Sequence, residues 1–81
     1  QKLSPKIDSA IYYYKQTIRA SSSYAPAYNN LGVIYQAQRR YHLASYYFFS
    51  ATQANPAYAD GRNNYENLKK GLNLAVQVLP D

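Results

Sequence analysis

Cysteine is absent from this 81-residue sequence, and so is tryptophan. Without thiols there is neither a disulfide framework nor a thiolate metal site. No apolar run approaches the ~20 residues of a membrane span, so no membrane segment is expected. No signal-peptide pattern opens the chain, which leans the expected location towards the cytoplasm. The first residue is Gln1 rather than methionine, and the chain reads as a processed or excised piece. Acidic residues are scarce: four Asp/Glu face nine Lys/Arg, for a net charge of +5. With 81 residues, one small domain with a thin core is the ceiling.

The scarcity of carboxylates and histidine also speaks against catalysis. Asp8, Asp60, Glu66 and Asp81 are spread over three regions, and Asp60 and Glu66 are too far round a helix for a close pair. His42, the single histidine, has no carboxylate near it in sequence. No nucleophile–base or metal-ligand spacing appears, so no enzyme activity, cofactor or metal is expected. The basic residues are scattered, with pairs only at Arg39-Arg40 and Lys69-Lys70. A nucleic-acid binder concentrates its charge on one face, and no specific nucleic acid is expected here. Diffuse positive charge favours solubility and mild attraction to acidic partners.

What the chain has in abundance is tyrosine, 11 in all, and a repeat. Tyrosine joins a large apolar body to a polar tip and suits half-buried positions and interfaces. Tyr24-Ala25 and Asn29-Asn30 recur as Tyr58-Ala59 and Asn63-Asn64, an offset of 34. Ala10, Tyr12 and Tyr13 recur as Ala44, Tyr46 and Tyr47 at the same offset, with aromatic Tyr14 matched by Phe48. A period of 20–50 residues marks stacked supersecondary units.

Each unit is helical by its periodicity. Ser4-Pro5 supplies a cap and a first-turn proline for a helix presenting Ile7, Ala10, Ile11, Tyr14 and Ile18 and ending at Ser21-Ser22-Ser23. A second helix spans 25–38, a third runs from Tyr41 to Ala54, and Asn55-Pro56 stops the third. Tyr58, Tyr65, Leu68, Leu72, Ala75 and Leu79 form one continuous seam, predicting a single long terminal helix ended by Pro80. The expected class is all-α, about four helices with short loops and antiparallel neighbours.

The period and residues resemble the tetratricopeptide repeat, ~34 residues of helix–turn–helix. Tyr28, Leu31, Gly32, Tyr35, Ala44, Phe48, Ala51 and Pro56 stand at that family's signature spacing, with tyrosine replacing the usual tryptophan. The resemblance makes 25–58 a complete repeat, 5–22 the second helix of a partial one, and 59–79 a degenerate capping helix. In that last segment Arg62, Tyr65, Glu66 and Lys69 replace the signature. It implies an α-solenoid of antiparallel helix pairs, a single domain over 1–81. Gly32 is expected to face the partner helix near Ala44, where a missing side chain allows a close crossing. A phosphate-cradling role for "NNLG" is not expected, for no strand precedes it and no lysine follows.

By the same resemblance, first helices line a concave, non-catalytic binding groove for a peptide or partner helix. Asn29, Asn30, Val33 and Gln36 in one unit, and Asn63, Asn64, Asn67 and Lys70 in the next, are the expected contact set. Asn30 and Asn64 would form an asparagine ladder, since a carboxamide both donates to and accepts from a peptide backbone. The lysine/arginine/asparagine clamp of chaperone-binding members is not expected. Asn30 and Asn67 match two of its positions, but Val33 replaces a further asparagine and the basic partners are missing. The expected partner is a protein or peptide, with acidic ones favoured by charge. The rival is a structural role, a module that caps a longer array or self-associates through exposed repeat faces such as the first helix, whose apolar face is only half covered.

Overall fold

The computed structural model describes residues 5–78. It contains four helices: α1 (Pro5–Ala20), α2 (Ala25–Ala37), α3 (Tyr41–Ala54) and α4 (Ala59–Val78). The all-α class is therefore established, and α4 runs through Gly71 as one uninterrupted helix. The expected cap at Ser4, the stop at Pro80 and the seam position Leu79 lie outside the described residues, as does the side chain of seam position Ala75.

The helix boundaries are set by the turns more than by side-chain caps. Neither Tyr24 nor Arg40, the N-cap residues of α2 and α3, makes a side-chain capping bond, and proline occupies the first turn of α2. Asn55, pushed out of the helical region by Pro56, is extended at φ −152 and ends α3. Its Oδ1 then accepts the Ala57 N–H at 3.0 Å, closing an Asx turn.

Arg39 ends α2 in a different way. It sits in the left-handed region at φ 61. The Arg40 N–H donates to Tyr35 O and the Arg39 N–H to Gln36 O, both at 2.9 Å. This pair of bonds is the Schellman motif, whose left-handed position glycine normally fills. The arginine there carries a Cβ that crowds the following carbonyl. Arg39→Gly is accordingly expected to stabilise the chain by about 0.5–1 kcal/mol, read as a rise in Tm of roughly 2–8 °C.

The 34-residue period reappears in the hydrogen bonds. Tyr24 N–H donates to Ser21 O at 3.1 Å, and 34 residues on Tyr58 N–H donates to Asn55 O at 3.0 Å. Tyr28 Oη donates to Ser22 O at 3.0 Å, and its counterpart Arg62 donates to Pro56 O, also at 3.0 Å. Arg62 stands where the sequence pattern lost its large aromatic, yet it ties the same turn by the same bond. The turns before α2 and before α4 thus share two hydrogen bonds at the 34-residue offset.

α2 is the central element, packing against α1, α3 and α4, while α3 also packs against α4. Contact on three sides explains why α2 buries Ala25, Ala27, Asn29, Leu31, Gly32 and Tyr35, residues distributed around its circumference. The core consists of Leu31, Tyr35, Ala44, Phe48 and Leu68, with Ile11, Tyr14, Ile18, Leu43, Tyr47, Tyr65 and Leu72 packed around it. Leu31 and Phe48 are the largest fully buried side chains. The close crossing with α3 expected of Gly32 is present, and a Cβ on Gly32 would meet the Phe48 ring, 2.5 Å from Cε1 and 3.0 Å from Cγ. The glycine makes room for an aromatic ring, one helical turn beyond the alanine.

Candidate interaction surfaces

Helical spacing places Asn29, Val33 and Gln36 on one stripe of α2, and their 34-residue counterparts Asn63, Asn67 and Lys70 on one stripe of α4. The structure divides the α2 set. Val33 and Gln36 are exposed, and so are Asn63, Asn67 and Lys70. Asn30 and Asn64 are half-buried. Asn29, expected on the open face, is instead only 6% exposed.

Its burial has a direct cause. α4 crosses α2 at this point, and Asn64 Nδ2 donates to Asn29 Oδ1 at 2.9 Å. A buried carboxamide needs such a partner, because an unpaired one loses its hydration without compensation. Burial pushes the phenol of Tyr58 above its ordinary value, with help from Asp60, while the Asn29 carboxamide hydrogen-bonds the phenolate form and opposes the rise. Asn29 therefore joins α2 to the start of α4. Asn64 reaches the surface with one amide hydrogen already committed, which weakens it as a rung of an Asn30/Asn64 ladder.

Removing this bond has a measurable consequence. Asn29→Ala is expected to cost about 1–2 kcal/mol in urea unfolding, since it strands the Asn64 donor. A double-mutant cycle with Asn64→Ala should return a coupling of about 0.5–1.5 kcal/mol. Asn30→Ala, which removes no interhelical bond seen here, should stay within about 0.5 kcal/mol.

A second surface lies between α1 and α3, whose backbones stand apart. A cleft of about 480 Å³ runs between them, lined by Tyr12, Lys15, Gln16, Ile18 and Arg19 of α1, Tyr46 and Tyr47 of α3, and Tyr28 of α2. A further hollow of about 360 Å³ shares Tyr28 and Tyr46 and continues along Phe49, Ser50, Gln53 and Ala54. The sequence signal for this feature was the pair of tyrosine runs 34 residues apart. Helix geometry turns Tyr14, Tyr47 and Phe48 inward and leaves Tyr12 and Tyr46 at 67% and 61% exposure. Tyr47 stacks on Tyr35, centroids 5.5 Å apart, and meets Tyr46 edge-on at 5.1 Å. Burial raises its phenol above the ordinary value, and the nearby Lys15 ammonium pulls against that rise.

Among the described residues no three of histidine, aspartate and glutamate come together, and no helix is long and apolar enough to cross a membrane. His42 is exposed near the start of α3. Comparison with protein-family models, curated proteins and solved structures finds no match to this chain.

Proposed function

We propose that this chain is a non-catalytic protein-interaction module, a short stretch of tetratricopeptide-like solenoid that takes a peptide across the α2–α4 face. The observation that carries the reading is the Asn29–Asn64 bond. It holds the first helices of two consecutive units side by side and leaves Val33, Gln36, Asn67 and Lys70 exposed beside it. The repetition of turn hydrogen bonds at 34 residues supports the solenoid part of the reading. Val33, at 47% exposure, offers apolar area. Gln36 and Asn67 offer donors and acceptors that read a peptide backbone without demanding a sequence, and Asn30 contributes the remaining carboxamide.

The test is selection of a displayed random-peptide library on the 81-residue chain. Neutral peptides so selected should bind Val33→Glu/Asn67→Glu at least about tenfold more weakly, since that pair introduces two charges into the contact. If every selected peptide binds this variant as well as it binds the parent, the α2–α4 face is not the site.

Self-association is the second reading, and a specific feature favours it: α1 buries no residue fully, and Tyr12 and Tyr13 are both more than 60% exposed. Sedimentation equilibrium decides between the two. A chain that stays monomeric at several hundred micromolar rules the assembly role out.

A further inference from the structure

The cleft between α1 and α3 has a chemistry of its own. Its cations are Lys15 and Arg19, and among the described residues no carboxylate lines either the cleft or the hollow that continues it. Asp8, on the same helix, lies two turns before Lys15 and outside the lining. The walls are tyrosine: Tyr12 on α1, Tyr46 and Tyr47 on α3, with Tyr28 beneath. Along α3 the surface runs from Tyr46 to Ala54, about 12 Å at the helical rise per residue. That length matches three to four residues of extended peptide.

Spacing narrows the occupant further. Lys15 and Arg19 are one turn apart on α1, about 6 Å along the axis. Alternate side chains of an extended strand point the same way and recur about every 6.6 Å. Two acidic residues separated by one residue would therefore reach Lys15 and Arg19 together, while the residue between them turns to the tyrosine wall of α3.

We propose that the α1–α3 cleft is a second docking site, separate from the α2–α4 face, for an extended acidic segment of a partner protein with carboxylates at alternate positions. Two competing occupants fit less well. A second copy of this chain would bring its own Lys15 and Arg19 against the first pair, in a molecule already at +5. A nucleic-acid strand needs a row of cations to track its phosphates, and among the described residues only Lys15 and Arg19 stand in the cleft.

The probe is a fluorescein-labelled octapeptide alternating glutamate and leucine, titrated with the chain and read by fluorescence anisotropy at low salt. Saturable binding is expected, weakened about tenfold by Lys15→Gln/Arg19→Gln and abolished by Lys15→Glu/Arg19→Glu. Both cations are exposed, so these variants should keep the parent's helical circular dichroism. Tyr46→Ala should weaken binding without touching charge, and Val33→Glu/Asn67→Glu should leave it unchanged. That last arm separates failure here from failure of the α2–α4 site.

The proposal is overturned by equal binding of the octapeptide with glutamine in place of glutamate, or by loss of binding in Val33→Glu/Asn67→Glu alone. It is also overturned if a ten-residue oligothymidylate competes at equal or lower concentration. A dimer in sedimentation that the charge-reversed pair leaves intact, and that excludes the peptide, assigns the cleft to a second copy instead.

Discussion

Phe48→Ala is expected to abolish cooperative folding at room temperature. The ring is fully buried and packs with Leu31, Tyr35, Ala44 and Leu68 at the meeting of α2, α3 and α4. Truncating a buried phenylalanine to alanine costs about 3–5 kcal/mol, from lost transfer energy and from the cavity left behind. A domain of this length has roughly 4–12 kcal/mol in all, and a chain of 81 residues with so thin a core belongs at the low end of that range, so little or nothing remains. Thermal unfolding followed by circular dichroism should show a broad, shallow transition or none. Phe48→Leu, which keeps most of the volume, should retain a cooperative transition at reduced Tm.

The second large effect is at Gly32, and it runs against helix propensity. Alanine in place of glycine within a helix gains about 1 kcal/mol from propensity alone. At position 32 the new methyl would lie 2.5 Å from Phe48 Cε1, and a fully buried ring has nowhere to swing. Overpacking of that kind costs about 1–3 kcal/mol, so Gly32→Ala is expected to destabilise by about 1 kcal/mol net and Gly32→Val by considerably more. Gly71 supplies the contrast: it is exposed on α4, and an added Cβ meets nothing within 4 Å. Gly71→Ala should stabilise by about 1 kcal/mol. Denaturant titration of the two variants should give shifts of opposite sign. Combining Gly32→Ala with Phe48→Leu should recover part of the loss, because the smaller side chain vacates the space the methyl enters.

Much of this architecture was legible in the residues. The ends of α2 and α3 fell where Arg39-Arg40 and Asn55-Pro56 placed them, since turn chemistry is local. The unequal fates of neighbouring tyrosines followed from helical geometry, which cannot turn Tyr46, Tyr47 and Phe48 the same way. Asn29 was misplaced because it shares a stripe with Val33 and Gln36, and periodicity assigns one fate to a whole stripe. Only one end of that stripe lies under α4. The left-handed Arg39 was also invisible, for no glycine marks the position.

By itself, then, the sequence determined four helices, their order, the 34-residue period and the need for a small residue at 32. These depend on propensities and spacings within one helix or between neighbours in the chain. The tertiary structure decided which ring fills the space above Gly32, which asparagine is buried, and that α1 and α3 stand apart with a tyrosine-walled, cationic cleft between them. Those outcomes depend on how distant segments cross, and a crossing is set by the summed packing of all four helices rather than by any single stretch.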